Sequence, residues 1–410
     1  MAVLIGRKTE VYVGKRSHFS TIPKWVYVGK WGECSRQCSK HLEIVLWIAL
    51  TFVLGSSPVL GKGVEITYAK NFSIEYFETH KIVTVRNMWR GSGNLTFNYA
   101  LVPRTAAVPD LPSGMRIIRT PVQRMSILET VYLGHIKSLD LYGELVGLAN
   151  VSLAYDQMAL EQVKGGYTKE IQEGSSLNIE TLLMLKSDLV LTSAMGNPQF
   201  DTHPQLERAK QPVVITAGYM EVHPLGRSEW LKFTAVFFDK EEKASRIFDK
   251  IAKRYNELSH VASIAGQRPT VLSNAPHGGT WHVPGGRSYT ARTFEDAGGD
   301  YLFSDDSSIG GLPKEFESVY HRAAEVDFWL HPGVHRDLEG LKSQDSRFAR
   351  FRAFEIGNVY NNTLRSNGIG GNDIWEHGVL HPEWVLEDLI AIFHPELMPN
   401  HSFRFYEKLK

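Results

Sequence analysis

The sequence predicts an α/β fold made of two lobes, each with a mostly parallel sheet, joined by one long α-helix, with a ligand cleft between the lobes. Two observations support this prediction. Helical and strand patterns alternate along the chain both before residue 239 and after residue 266, which is typical of parallel sheets with helices on both faces. The amphipathic segment between these two regions would form a helix about 35 Å long, enough to cross from one lobe to the other.

Length and charge narrow the class of protein. The chain has 410 residues, which suggests two domains with ample core. Acidic and basic residues balance at 45 each, whereas a surface that binds nucleic acid or an anionic membrane usually carries a basic excess. We therefore expect no nucleic-acid partner.

Residues 1–61 are interpreted as a leader. Residues 44–54, IVLWIALTFVL, form an apolar run of the length of a signal-peptide core, too short for a typical spanning helix. Basic residues precede this run and small residues follow it, so we expect export and cleavage between Ser57 and Gly61. Because the stretch before the run is long, two alternatives stay open: a true start downstream of Met1, and a retained N-terminal anchor.

Both cysteines, Cys34 and Cys38, fall within this leader. The exported protein is therefore expected to contain neither a disulfide nor a thiol nucleophile. No cysteine follows the apolar run to accept a lipid.

The N-terminal lobe is expected to span residues 62–238. Over residues 72–104 apolar and polar side chains alternate, which predicts extended strands with a turn at GSGN. Strand and helix patterns then alternate along the chain, and this order predicts a mostly parallel sheet. The successive patterns are VQRMSIL, a helix from Thr130, ELVGLAN, LNIETLLMLKSDLVLTSA and THPQLERAKQPVVITAG.

Residues 239–266 are predicted to form the connecting helix. Apolar residues recur there at three- and four-residue steps, and charged residues fill the positions between them. Asp239 is expected to cap the first free amides, with Glu242 at the capping-box spacing, and Gly266 to end the helix. Residues 224–238 are predicted to form a separate helix of the N-terminal lobe, with a break in the helical path near Asp239.

The C-terminal lobe is expected to span residues 267–410 and to repeat the same order. RPTVLSNAP, DFWLHPG and GNVYNN are predicted strands, SYTARTFEDAGG and EFESVYHRAAEV are predicted helices, and WVLEDLIAIF is the closing helix. LNIETLLMLKSDLVL and KEFESVYHRAAEVDFWL share one pattern: a glutamate opens a helix, and an aspartate precedes an apolar strand. This weak internal symmetry supports two lobes, with a ligand cleft where strand ends meet.

Four runs carry a family likeness: SLNIETLLMLKSDLVL, EVHPLGRSEWLKFTAVFFDKEEKA, GTWHVPGGRSYTARTFEDAGGDYLF and NGIGGNDIWEHGVLHPEWVLEDLIAIFHPEL. With them, the chain after the leader resembles the periplasmic substrate-binding proteins of ABC importers for iron-siderophores, haem and cobalamin. In that class, two Rossmann-like α/β lobes are joined by a single long helix. The resemblance implies a non-catalytic, monomeric periplasmic protein without a cofactor, which delivers an iron-siderophore or related metal chelate to an ABC permease in the inner membrane.

The resemblance also implies two docking residues. In such proteins one surface glutamate on each lobe binds arginines of the permease, and the matching positions here are Glu180 and Glu317. A carboxylate in the first turn of a helix is favoured by the helix dipole and projects to solvent, where it can meet an arginine. The alternative is that each glutamate only stabilises its helix.

A site for a bulky, partly apolar and anionic chelate requires aromatic faces together with cationic or amide donors. Candidates lie in loops near the expected cleft: Trp89, Arg90, Tyr99, Tyr219, Trp281, His282, Arg287, Tyr289, Asn361 and Trp375. Core packing is the alternative for each aromatic residue. Ligand contact is favoured for Trp281, which lies between glycines and a proline, and core packing is favoured for Trp375.

Histidine spacing does not predict a metal site. His331 and His335 are four residues apart, as are His377 and His381, but a proline follows His331 and His381 directly and disfavours helical geometry. The sequence also lacks the G-x-S-x-G, H-E-x-x-H and P-loop motifs.

Three alternatives to an iron-siderophore carrier stay open. A haem or cobalamin carrier would belong to the same family. A secreted metal-dependent enzyme or chelatase would use the histidine-rich loops, and a receptor-like sensor would keep its leader as an anchor.

Overall fold

The computed structural model describes residues 63–173, 176–197 and 199–410. All of these residues fall within one compact unit. The predicted leader, residues 1–61 with its apolar run at 44–54, lies outside the described residues. Within the described ranges, no helix combines the length and the apolar character needed to cross a bilayer.

A four-stranded sheet opens the described chain. Its strands are Phe72–Tyr76 (β1), Lys81–Arg86 (β2), Thr96–Pro103 (β3) and Arg116–Thr120 (β4). Strands β1 to β3 pair antiparallel, and β4 pairs in parallel with β3. Val83 and Val85 of β2 are fully buried while their neighbours are partly exposed, which confirms the alternation predicted for residues 72–104.

A five-stranded parallel sheet forms the centre of the N-terminal lobe, which is predicted to end at residue 238. The elements of this part are Met125–Ile127 (β5), Tyr132–Leu139 (α1), Leu145–Leu148 (β6), Gln157–Lys164 (α2), Lys169–Glu170 (β7), Gln172–Glu173 (β8), Ser176–Leu177 (β9), Ile179–Leu185 (α3), Leu189–Ser193 (β10), His203–Arg208 (α4) and Val213–Thr216 (β11). The sheet order is β11–β10–β5–β6–β7, with every pair parallel, and β8 pairs with β9 separately. The inner strands are buried on both faces, so their sequences are continuous apolar runs.

Two helices follow this sheet. Helix α5, Pro224–Val236, is buried along almost its whole surface, whereas α6, Glu241–Ser263, buries one apolar stripe. Asp239 between them has a φ of 54°, so the chain breaks its helical path where the sequence predicts. The predicted cap is wrong, because Lys240 is the N-cap residue and the Asp239 carboxylate accepts a hydrogen bond from Lys81 at 2.8 Å. The helix also ends at Ser263 rather than at Gly266.

A second sheet forms the centre of the C-terminal lobe, which is predicted to begin at residue 267. The elements of this part are Thr270–Ser273 (β12), Pro276–His277 (β13), Thr280–Pro284 (β14), Tyr289–Asp296 (α7), Asp300–Tyr301 (β15), Gly311–Lys314 (β16), Phe316–Ala323 (α8), Phe328–Leu330 (β17), Leu338–Gln344 (α9), Arg352–Glu355 (α10), Val359–Asn361 (β18), His377–Leu380 (α11), Pro382–Phe393 (α12) and Glu407–Lys408 (β19). The sheet order is β15–β12–β17–β18–β19, parallel except for β19. Strands β13, β14 and β16 form a small antiparallel sheet. The predicted strands and helices are confirmed, but β19 follows the helix that was expected to close the chain.

Helix α6 packs against helices of both lobes, α1 and α5 on one side and α7 and α12 on the other. Its Tyr255 hydroxyl donates to Asp296 of α7 at 2.9 Å, and its Arg254 pairs with Glu387 of α12 at 2.7 Å. These contacts agree with a role as the link between lobes. The boundaries of the three predicted segments after the leader stay a prediction.

Candidate functional site

The carboxyl ends of the parallel strands in both lobes open onto one cleft. In the N-terminal lobe, its lining includes residues at or just beyond the ends of β5, β10 and β11: Glu129, Thr130, Ser193, Thr216 and Tyr219. In the C-terminal lobe, its lining includes residues at or just beyond the ends of β12, β17 and β18: Asn274, His331, Asn361 and Asn362. Open α/β sheets bind ligands at this edge. The strand order therefore places the cleft where a ligand site is expected.

The cleft consists of two adjoining chambers. The larger has a volume of about 390 Å³ and is lined mostly by the C-terminal lobe. The smaller has a volume of about 270 Å³ and is lined mostly by the N-terminal lobe. Arg227, Trp375 and Val379 line both chambers, so they mark the boundary between them. Together the chambers offer the space of a small-molecule site.

Arg227 of α5 lies at this boundary and has no charged partner among the described residues. Its guanidinium carbon is 4.0 Å from the centroid of the Tyr289 ring, in a cation–π contact. Its Nε is buried and has no hydrogen-bond partner, and no carboxylate in the described part of the chain pairs with it. A guanidinium in this state can donate two parallel hydrogen bonds to an anionic ligand group.

Glu129 is the second incompletely paired group of the cleft. Its Oε1 accepts hydrogen bonds from the Ser193 amide at 2.8 Å, the Ser193 hydroxyl at 3.1 Å and the Thr192 hydroxyl at 3.2 Å. Its Oε2 is buried and has no partner. Burial raises the pKa of Glu129, although the bonds from Ser193 oppose the rise. The shift favours the protonated carboxyl, which can donate a hydrogen bond to a ligand oxygen.

Several aromatic side chains from the two lobes line the chambers, among them Tyr219, Tyr289 and Trp375. Tyr219 is 37% exposed, and its hydroxyl donates to the carbonyl oxygens of Met88 at 2.9 Å and Ala194 at 2.8 Å, which fixes the ring. Burial, with a smaller effect of a nearby aspartate, raises the pKa of Tyr219 to about 12, so this hydroxyl stays protonated. Trp375 is 48% exposed and Tyr289 lies under Arg227. These rings provide apolar faces beside the guanidinium.

The structure brings four of the predicted ligand residues to the cleft. Tyr219 lines the smaller chamber, Tyr289 and Asn361 line the larger one, and Trp375 lines both. Asn361 is nonetheless buried, and its amide donates to the His335 carbonyl oxygen at 3.0 Å. Its role in the structure is to hold the loop after β17. The preference for Trp375 as a core residue is wrong, because half of its surface is exposed.

Trp281 was predicted to contact ligand, and the structure corrects this prediction. The side chain is fully buried on β14, and its indole nitrogen donates to the Ser273 carbonyl oxygen at 3.1 Å. Its ring packs against Trp329 and Phe351, at centroid distances of 5.7 and 5.8 Å. The preceding glycines form the turn before β14, and Pro284 is the last residue of this strand, which belongs to a small sheet whose inner face joins the core.

Tyr99 is also a core residue rather than a ligand contact. It is fully buried on β3, and its hydroxyl accepts a hydrogen bond from the Ile215 amide at 2.8 Å. The bond joins the four-stranded sheet to β11 of the parallel sheet. A polar tip and an apolar body make tyrosine suitable for this position.

The other four predicted ligand residues do not line either chamber. They are Trp89, Arg90, His282 and Arg287. Trp89 packs over Gly196, where an added Cβ would lie 2.4 Å from the indole ring. Arg90, His282 and Arg287 are exposed. The structure therefore gives these four residues no ligand contact within the cleft.

Arg227 and Glu129 are two incompletely paired residues of the cleft, and sequence reasoning missed both. Arg227 lies in the segment 224–238, which the sequence marks only as a helix of the N-terminal lobe. One signal was present: Arg227, Glu229 and Lys232 interrupt a helix rich in aromatic residues without forming a polar stripe. Polar residues on a helix buried all round need specific partners.

The two predicted docking glutamates lie in first helical turns. Glu180 is exposed at the start of α3 and has no partner among the described residues. Glu317 is exposed at the start of α8, and Arg347 pairs with it at 3.1 Å. Exposed ion pairs contribute little free energy, so an arginine of another protein can displace Arg347.

Acid is expected to destabilise the fold through His135, which lines the smaller chamber. Burial, with a smaller contribution from His381, lowers the pKa of His135 from 6.5 to about 3. Below pH 6.5 the unfolded chain takes up a proton that the folded chain does not, so stability falls progressively as the pH drops towards 3. One such proton contributes a slope of roughly 1.4 kcal/mol per pH unit.

Urea unfolding at several pH values between about 4 and about 6 checks this prediction. Replacement of His135 by glutamine should reduce the dependence of the free energy of unfolding on pH. The variant His277→Gln, which changes an exposed histidine, should keep the full dependence. An unaltered slope in the His135 variant would show that the folded chain does protonate this ring.

The chain matches a family of known proteins. The family model described as periplasmic binding protein matches residues 130–363, more than half of the chain. An uncharacterized lipoprotein of Methanocaldococcus jannaschii is 24% identical over 376 residues, which cover 86% of this chain and 87% of that relative. The matched family segment begins just after β5 and ends just beyond β18, so it includes the ends of β10, β11, β12, β17 and β18 that line the cleft.

Solved structures share the fold. A periplasmic heme binding protein from Pseudomonas aeruginosa is similar with a TM-score of 0.53 and 18% identity, over 70% of this chain and 98% of that one. An ABC-type Fe3+-hydroxamate transport system from Saccharomonospora viridis is similar with a TM-score of 0.52 and 16% identity, over 67% of this chain and 94% of that one. The family match and the shared two-lobed α/β fold show that this chain belongs to the periplasmic binding protein family.

Proposed function

We propose that this protein captures a metal chelate, with a ferric siderophore as the first expectation, and delivers it to an ABC permease. The observation that carries the proposal is the position of Arg227. Its guanidinium lies at the boundary of the two chambers, its Nε lacks a partner, and the Tyr289 ring packs against it. This arrangement suits a ligand with both an anionic group and an apolar body.

The shape of the cleft supports a bulky ligand shared between the lobes. Tyr219 lies on the N-terminal side, Tyr289 and Trp375 lie on the C-terminal side, and Arg227 lies between them. A ligand that stacks on these rings would contact both lobes at once. Closure would involve small lobe movements, because a continuous helix between lobes resists a wide hinge motion.

The relatives support the same class of ligand and location. One structure of similar fold is described as a heme binding protein and another as a Fe3+-hydroxamate transport system. We extend these two ligand classes, and cobalamin as a third, to this chain as candidates. The family and the relatives named as lipoproteins support a location outside the cytoplasm, consistent with the export signal predicted at residues 44–54.

A ligand panel tests the proposal. The purified protein is heated with ferric hydroxamate and ferric catecholate siderophores, haemin or cobalamin, and the unfolding temperature is compared with the ligand-free value. One of the four should raise it in a concentration-dependent manner, since a ligand that binds only the folded state stabilises it. No rise with any chelate, together with zinc-dependent turnover of a substrate, would favour the metal-dependent enzyme or chelatase instead.

We also propose that Glu180 and Glu317 dock the loaded protein onto the permease. Both lie exposed in first helical turns, one on each lobe. Reversal of both to arginine should leave chelate binding intact and abolish stimulation of the permease ATPase, because arginines would then face arginines. The control reverses Glu242 and Glu339, which are exposed first-turn glutamates of α6 and α9. Equal stimulation by the two double variants would contradict the docking assignment.

A further inference from the structure

A buried junction joins the lobes outside the cleft. The Glu376 carboxylate of the C-terminal lobe accepts hydrogen bonds from the amides of Tyr155 at 2.7 Å and Asp156 at 2.9 Å, just before α2 of the N-terminal lobe. Helix α1 approaches the same segment so closely that a Cβ on Gly134 would lie 2.8 Å from the Glu376 carbonyl oxygen. This junction therefore holds residues of both lobes at close distance.

Three metal-binding side chains converge at this junction. Asp373, Glu376 and His377 each present one donor atom, and the three atoms lie within 4.8 Å of one another. All three side chains are buried, with 2%, 0% and 7% of their surfaces exposed. His381, four residues after His377, bonds Glu383 at 2.8 Å, which agrees with the prediction that these two histidines do not form a metal pair.

One ring nitrogen of His377 is available to bind a ligand. Its Nδ1 bonds the Asp373 carboxylate, which fixes the ring. Its Nε2 is buried without a hydrogen-bond partner and lies 3.9 Å from Oδ2 of Asp156, a residue of the other lobe. An imidazole that bonds a carboxylate through one nitrogen and leaves the other free is the usual arrangement around protein-bound zinc.

The charges of the junction also favour a cation. Asp156, Asp373 and Glu376 contribute three carboxyl groups, whereas Arg365 bonds Asp373 at 2.6 Å and Lys137 lies 3.8 Å from Asp156. Three carboxyl groups of the junction therefore face two cationic side chains, Arg365 and Lys137, in the described part of the chain.

We propose that this junction binds one divalent transition-metal cation, represented by zinc, between His377 Nε2, Asp156 and Glu376. Asp373 orients the His377 ring from behind. A mixed set of imidazole and carboxylate ligands suits zinc, and water completes the coordination. A cavity of about 380 Å³ lined by Asp156, Asp373 and His377 gives the ion a way in. Because ligands come from both lobes, the cation would fasten the junction.

Zinc titration of the purified full chain tests the proposal. After treatment with a chelator, calorimetry with zinc chloride should show one site per chain, and zinc should raise the unfolding temperature. His377→Gln and Asp156→Asn should each abolish the site, although they alter different lobes. Asp373→Asn should weaken zinc binding by about ten- to a hundredfold, as expected for a residue that orients a ligand.

The variants are chosen to keep the fold. Asp156 also caps α2 by accepting a hydrogen bond from the Ala159 amide at 2.9 Å, and asparagine preserves such a cap. His277→Gln removes an exposed histidine and should bind zinc as the unaltered chain does. Absence of a zinc site in the unaltered protein, or normal zinc binding by Asp156→Asn, would overturn the proposal. Because no chelate is present, either result leaves the proposal for the cleft unaffected.

Discussion

Replacement of Arg227 by glutamine should weaken binding of the chelate at least about thirtyfold, equivalent to about 2 kcal/mol. The guanidinium Nε is buried without a partner in the ligand-free protein, so its hydrogen-bonding capacity is available for a ligand. Glutamine retains part of the length and removes the charge. Equilibrium titration of the variant with the ligand that stabilises the unaltered protein measures the loss.

Two further variants distinguish the contribution of the Arg227 charge from that of its paired hydrogen-bond donors and from a general effect of removing an arginine. Arg227→Lys keeps the charge but loses the paired donors, so it should bind with intermediate affinity. Arg246→Gln alters an exposed arginine of α6 and should bind as the unaltered protein does. Both Arg227 variants should remain folded, because Arg227 has no ion-pair partner among the described residues and its cation–π contact with Tyr289 contributes only about 0.5–2 kcal/mol. Unchanged affinity in a folded Arg227→Gln protein would contradict the assignment of this residue to the ligand.

Replacement of Glu229 by alanine should destabilise the protein by about 3–5 kcal/mol, the usual loss when one partner of a buried ion pair is removed. Glu229 is fully buried on α5, and Lys232 pairs with it at 2.9 Å. Its carboxylate also accepts hydrogen bonds from the amides of residues 67–69, at distances from 2.7 to 3.1 Å. The change leaves Lys232 and three amide groups without this partner.

Urea unfolding of the Glu229 variant measures this loss. Glu257→Ala provides the control, because Glu257 is exposed on α6 and makes only long contacts with Lys253 and Arg254. Glu257→Ala should change the free energy of unfolding by no more than about 0.5 kcal/mol. A loss below about 1 kcal/mol for Glu229→Ala would show that the buried pair does not hold the segment before β1 to the lobe.

The sequence predicts the fold well because the pattern of a parallel sheet is local. Most buried strands, such as Leu189–Ser193, are apolar runs that follow a helix, and this order occurs in both lobes. The start of α6 is harder to predict. Asp239 could cap α6 or could break the helical path between α5 and α6, and the sequence does not distinguish these two roles. Its left-handed backbone and its contact with Lys81 depend on the position of β2, which is remote in sequence.

The sequence predicts that a cleft lies between the lobes, but it predicts only some of the residues that line this cleft. Tyr219 and Tyr289 follow strands or turns and do line it, whereas Trp281 occupies a similar glycine-rich context and points into the core. Which side of β14 faces solvent is decided by packing on Trp329 and Phe351. In the sequence, Arg227 lies within a predicted helix. It lines the cleft only because the two lobes come together there.

Fluorescence titration of the ligand-free protein with the panel of chelates tests the central claim most directly. Trp375 lines both chambers and is half exposed, so a bound coloured chelate should quench its emission. We predict saturable quenching by one of these chelates with one ligand per chain, and weaker binding in Arg227→Gln. Absence of saturable quenching by ferric siderophores, haemin and cobalamin alike would contradict a metal-chelate site in this cleft.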